Sequence, residues 1–212
     1  MFWKDSAWNM NENSHRGVGA ARIRAVKSEI RVLGIDDGVF TPHSKETVDV
    51  VGVVFRGGYW LDGFMHTKVQ VDGMDATQKL IEMITHSPHY PQLRVAMLNG
   101  VTLAGFNIVN IKELHEKVRL PIIAVTRDRP DFEDIKKALQ NLPESGRRWK
   151  AIVKAGKMIK VRTREGEEPI YVHATGVSRE MAERILRSTS TRSNIPEALR
   201  VAHIIASGLG SA

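Results

Sequence analysis

Acids and amides stand where the apolar runs of this chain stop. Arg31-Val-Leu-Gly-Ile-Asp36-Asp37-Gly38 carries two adjacent carboxylates into a glycine turn, Val71-Asp72-Gly-Met-Asp75 holds two more, and Met97-Leu98-Asn99-Gly100 ends on a carboxamide where a third acid is expected. A carboxylate at the end of a buried strand is costly unless a donor or a metal compensates it. Phosphodiester hydrolysis needs charge neutralised in the transition state and a water made nucleophilic, and carboxylate-held divalent ions do both. The residues therefore predict the skeleton of a divalent-metal nuclease with one ligand changed. In that skeleton Asp36 bridges the ions and Asp72 or Asp75 serves one of them. His203, in Arg200-Val-Ala-His203-Ile-Ile, ligates another or relays a proton. Each residue also has a plainer role: Asp36, Asp37, Asp72 and Asn99 as turn residues, Asp75 as a helix cap, His203 as a structural histidine.

The elements that must position these groups follow from periodicity. Strands are expected at 31–36, at 48–55 and, after a Gly57-Gly58 hairpin, at 59–71, where polar His66, Lys68 and Gln70 alternate with Met65, Thr67 and Val69. A helix capped by Asp75 or Thr77 runs to about 86, a buried strand covers 93–98, and 101–107 reads as a glycine-containing loop. A helix at 110–118, a strand at 121–125 and a helix at 131–141 follow. Residues 147–172 read as a basic strand or hairpin insertion, then helices start at Ser178 and Pro196. The order βββαβαβα predicts an α/β fold with a ribonuclease-H-like mixed sheet, an antiparallel meander plus parallel strands, flanked by helices. Right-handed crossovers make the first and fourth strands neighbours, so Asp36 and Asn99 should meet at the switch point where open α/β sheets bind ligands. The expected organisation is a mobile basic leader (1–28), one domain (29–209) and a short tail (210–212).

With 212 residues, 42% of them hydrophobic, the chain is long enough for one ordinary core. Its 31 basic and 24 acidic residues leave a formal charge of +7, which favours a polyanion partner: DNA, single-stranded DNA or RNA. There is no cysteine, so any metal must use oxygen or imidazole; magnesium or manganese is expected. No apolar run approaches the ~18 residues of a membrane span, and the expected compartment is the cytoplasm. The densest basic tract offers Arg147, Arg148, Lys150 and Lys154 as phosphate contacts. Gly100, Gly105, Phe106 and Asn107 are the candidate base pocket, because glycines let backbone amides approach a flipped base and an aromatic ring can stack on it.

On four strings the chain resembles the endonuclease dU family, relatives of endonuclease V: Val32-Leu-Gly-Ile-Asp-Asp-Gly38, Val71-Asp-Gly-Met-Asp-Ala-Thr77, Leu98-Asn-Gly-Val-Thr-Leu-Ala-Gly-Phe-Asn107 and Ile195-Pro-Glu-Ala-Leu-Arg-Val-Ala-His203. The resemblance spans about 29–209. It implies a magnesium-dependent endonuclease that nicks nucleic acid at deaminated bases, deoxyuridine or inosine, in DNA repair. It also implies departures: Asn99 stands where endonuclease V has an aspartate, Arg127 where it has a catalytic-site lysine, and the Pro-Tyr-Ile-Pro wedge is absent, with Tyr90 in a turn nearby. Arg127 keeps the charge but cannot serve as a tunable base. A nucleic-acid-binding protein with weakened catalysis, or a non-enzymatic scaffold, are the alternatives.

Overall fold

The computed structural model describes residues 25–210. The expected leader and tail lie outside them, apart from 25–28 and 210. Three strands open the fold: β1 (Arg31–Asp37), β2 (Thr47–Arg56) and β3 (Trp60–Gln70). Helix α1 (Ala76–Thr85), β4 (Val95–Asn99), two short strands β5 (Thr102–Leu103) and β6 (Asn107–Ile108), α2 (Ile111–Val118) and β7 (Ile122–Thr126) follow. The remainder is α3 (Phe132–Leu139), α4 (Ser145–Lys154), β8 (Ile159–Val161), β9 (Ile170–Thr175), α5 (Arg179–Thr189) and α6 (Glu197–Leu209).

One mixed sheet runs in the order β3-β2-β1-β4-β7-β9-β8, and β5 pairs with β6 apart from it. β1 pairs antiparallel with β2 and parallel with β4, in a register that ends at Ile35 opposite Leu98. The next step along both strands brings Asp36 beside Asn99, as the element order predicts. Helices cover both faces, which is what a sheet of near-continuous apolar strands requires. Leu33 and Ile35 pack with Leu80 and Ile84 of α1 and Leu114 of α2. Their strand neighbours Val32, Val51 and Met97 face Ala198 and Ala202 of α6 and Ile185 of α5.

The contact of α6 with β1 is unusually close because both sides lack bulk. A Cβ at Gly34 would overlap the Ala198 backbone, and one at Gly38 would meet the Ala206 carbonyl. Ala198, Ala202 and Ala206 recur every four residues and form one stripe of the helix. Glycines on the strand and alanines on the helix thus let two backbones approach, and His203 follows the middle alanine.

Two expectations change. Residues 145–154 are helical, where the start of the 147–172 tract is expected as strand or hairpin: Arg148 and Ile152, one turn apart, are the buried face, a period that the β-branched Ile152 and Val153 disguise. The loop expected at 101–107 contains the β5–β6 ribbon. Tyr90 lies in a 3₁₀ turn with its hydroxyl donating to the Val118 carbonyl at 2.9 Å, which makes it a turn residue rather than a wedge.

Candidate active site at the end of the first strand

Asp36 is 2% exposed and is surrounded by donors. The Asn99 amide donates to both of its carboxylate oxygens, at 3.1 and 3.0 Å. His203 Nδ1 lies 2.9 Å from Oδ2, and the Asp37 backbone N–H donates to Oδ1 at 3.0 Å. Burial, then the neighbouring charge of Asp37, raise the Asp36 pKa to about 6; the hydrogen bonds of Asn99 and the Asp37 amide and the nearby His203 act the other way. Asp37 is itself raised, chiefly by burial, although its Oδ2 accepts the Ala104 N–H at 2.7 Å. Strand alternation puts Asp37 on the face opposite Asp36, which makes its replacement the milder one; its side chain does reach the 104 loop, but its charge is felt at Asp36. The signal was present in the doubled acid at the strand end.

The other expected site residues divide. Asp72, held at φ +49°, accepts the Phe106 N–H at 2.8 Å and lies 3.2 Å from His43 Nδ1. A Cβ at Gly105 would strike its carboxylate, so that glycine is required for the turn to close. Asp75 accepts from Asn107 Nδ2 at 2.6 Å and from the Gln70 N–H at 3.3 Å. Asn107 in turn accepts the Ala76 N–H at 3.0 Å and donates to the Gln70 carbonyl. Asn107 is therefore a buried cap for α1, with 0% exposure, and not a wall of a base pocket; Asp75 holds it in place. Among the described residues no three of His, Asp and Glu converge as a metal cage. The expected ligand trio of Asp36, Asp72 and His203 is thus not assembled: Asp36, Asn99 and His203 meet, and Asp72 is occupied in holding the 104–106 loop.

The basic tract is also corrected. Arg148 is 2% exposed, and its guanidinium donates to the carbonyls of Pro143, Gly73, Phe106 and Asp72 at 2.6–2.9 Å. It ties α4 to both loops beside the acids and is closed to phosphate; burial lowers its pKa, opposed by Asp72 and Glu144. Arg147, Lys150 and Lys154 are exposed and fall on one face of α4, with Arg147 donating to Glu144 at 3.0 Å. Arg127 is exposed just past β7.

Next to Asn99 a small apolar cavity of about 130 Å³ opens. Gly100 and Thr126 line it together with Phe106, Phe132, Ile152 and Met158. Gly100, at φ +84°, turns the chain out of β4 there. Of the expected base pocket, then, Gly100 and Phe106 line a cavity, while Gly105 and Asn107 shape the loop behind it.

An open mixed sheet, an acid at the end of its first strand and a histidine delivered from the last helix define a class. The fold is that of the endonuclease V proteins: the Bacillus subtilis endonuclease V structure matches with a TM-score of 0.60 at 12% identity, over 85% of this chain and 81% of that one. Ciona intestinalis endonuclease V, solved with a 24mer DNA containing an inosine followed by a ribo-adenosine, matches with a TM-score of 0.52 at 17% identity, over 82% of each chain. The chain itself belongs to the Endonuclease dU family, whose model matches residues 28–210. A UPF0215 protein of Methanothermobacter thermautotrophicus is 52% identical over 188 residues, 88% of this chain and 91% of its own length. A protein of unknown function from Archaeoglobus fulgidus has a solved structure with a TM-score of 0.76 at 34% identity, covering 85% of this chain and 98% of that one. Family membership makes this a protein of an endonuclease family. No helix among the described residues is long and apolar enough to cross a membrane.

Proposed function

We propose that the protein nicks DNA or RNA strands at deaminated bases. The observation that carries this reading is the buried Asp36, bonded by His203 and Asn99 at the mouth of the sheet beside an apolar cavity. With Nδ1 donating to Asp36, the His203 ring presents Nε2 as its proton acceptor. Its side chain is 64% exposed, so a water on a bound phosphodiester is within its reach. Asp36 fixes that tautomer and stabilises the imidazolium that proton uptake creates. Arg147, Lys150 and Lys154 supply a positive helix face for the strand's phosphates, and Arg127 adds charge at the rim.

A divalent ion, magnesium or manganese, fits the donor set in part. Asp36 and Asp37 are two desolvated carboxylates side by side, and magnesium takes one or two protein carboxylates plus water and substrate phosphate. Asp36 and Asp37 would hold it, with the Asn99 side chain alongside. When bound, such an ion supplies charge neutralisation on the phosphodiester and a more acidic water. Asn99 favours a second reading, binding without cutting, because its amide already compensates Asp36 through two hydrogen bonds.

Labelled oligonucleotides bearing a single deoxyuridine or deoxyinosine, incubated with magnesium, manganese or EDTA, test the proposal. Nicking that needs metal and disappears in Asp36→Asn and His203→Ala is the expected result. Tight binding without any cut, in either metal, would leave the binding-only reading.

A further inference from the structure

Phe132 and Met158 line the apolar cavity and also a second recess, of about 520 Å³, whose other walls are cationic. Arg129 belongs to the turn after β7, Lys157 to the turn between α4 and β8, and Lys160 to β8 itself. No carboxylate lines the recess, and none of the three cations makes a side-chain hydrogen bond or ion pair among the described residues. Elsewhere the chain ties such groups down: Arg164 to Glu167, Arg187 to Glu183 and Arg200 to Glu197. Like charges held around one recess repel, and an anion relieves them. The recess also holds a ring. Tyr171 of β9 pairs with Thr126 of β7 on one side and with Lys160 on the other, so these three side chains share one face of the sheet. Its volume is that of a small-ligand site. Thr126 lines the cavity beside Asn99 as well, and β9 lies three strands from β1, roughly 14 Å at the usual strand spacing. A nucleic-acid strand with a phosphodiester at Asp36 spans that interval within a few nucleotides.

We propose that this recess binds one nucleotide of the substrate strand, a few positions from the phosphodiester at Asp36, with Tyr171 stacking on its base and Arg129, Lys157 and Lys160 holding its phosphates. The inference rests on the reading above that a nucleic-acid strand lies at Asp36, and it adds a second point of grip. A site for phosphate alone has no use for the ring, and a site for an apolar ligand has no use for the cations; a nucleotide uses both. Stacking is indifferent to base identity because every base has a π-face, and cations on phosphate read no sequence. The recess therefore contributes affinity and register and leaves the choice of base to contacts elsewhere. The exposed face of α4 offers charge only, whereas a ring in the recess calls for an unpaired base. The strand is accordingly single where it crosses β9.

The test titrates metal-free protein with labelled single strands that carry no deaminated base, so the outcome is independent of whether such bases are cut. Replacing Arg129, Lys157 and Lys160 together by Gln should flatten the salt dependence of binding by about two units, roughly 0.7 for each lost contact. Tyr171→Leu should weaken binding roughly ten-fold, and Tyr171→Phe, which keeps the ring, should bind as wild type does. The three cations are exposed, so the triple variant reads the recess even where Tyr171→Leu fails to fold. If the wild-type protein binds no strand, the nucleic-acid reading fails and this inference with it. If it binds, but the triple variant keeps the wild-type slope or a folded Tyr171→Leu keeps the wild-type affinity, the nucleic-acid reading stands and the role of the recess is overturned. A free deoxynucleoside monophosphate that displaces the strand at equal concentration would assign the recess to a small ligand, and that too would overturn its part in holding the strand.

Discussion

Replacing Asn99 by aspartate should turn a self-compensated acid into one that demands a cation. The amide now donates to both Asp36 oxygens at about 3 Å. Asn99→Asp puts two carboxylates at that separation. Coulomb's law gives about 5.5 kcal/mol of repulsion at an effective dielectric of 20 and about 1.4 kcal/mol in bulk water. Asn99 is exposed while Asp36 is buried, so the cost lies between these limits, and the lost hydrogen bonds add about 1–2 kcal/mol. A net loss of about 4 kcal/mol lowers Tm by about 8–16 °C in a chain of this length. In EDTA at pH 8, thermal unfolding of Asn99→Asp should therefore fall well below wild type. A shared proton relieves such a pair, whose pKa is raised in the folded state, so the deficit should shrink towards pH 5 and grow as pH rises. Magnesium at a hundred times its dissociation constant should return about 2.7 kcal/mol to the variant, and less to the wild type. Equal melting temperatures in EDTA, or a variant deaf to magnesium, would refute the reasoning.

Other substitutions separate scaffold from chemistry. Gly34→Ala forces a methyl into the Ala198 backbone, so α6 must move; a loss of about 1–3 kcal/mol in denaturant unfolding and a parallel loss of nicking are expected, and an unperturbed variant would contradict the close packing. Arg148→Gln should lower stability by about 2–4 kcal/mol, because four carbonyls lose their donor, with no change in the salt dependence of nucleic-acid binding. The triple replacement of Arg147, Lys150 and Lys154 by Gln should instead leave unfolding nearly unchanged and flatten that salt slope by about two to three units. His173 is harder to protonate folded than unfolded, so below pH 6.5 the unfolded chain gains protons first and stability falls with acid; His173→Phe should lessen that fall between pH 6.5 and 5 in urea titrations.

What could be read in the sequence was set by local rules. The mixed sheet was legible because its strands are apolar runs ending in turn residues and its helices carry a 3.6-residue period. Asp36, Asn99 and His203 were legible because strand ends and a last-helix histidine are positions that one topology brings together. Arg148 was not: in a chain of charge +7 a basic run resembles a phosphate track, and only the packing shows that one arginine of the run faces inward. Asn107 was read for its loop, yet its partner is the first N–H of α1, 31 residues earlier.

The separation of 167 residues between Asp36 and His203 sets an order of assembly. β1 leaves a translating ribosome long before α6 exists, and the two meet only after everything between them has been made. Closing so long a loop is slow, and the glycine–alanine seam gives no partial reward, since it forms as a whole or leaves β1 uncovered. Until that closure Asp36 lacks its histidine partner, so on the proposed function a nascent or truncated chain is without the residue assigned to proton uptake.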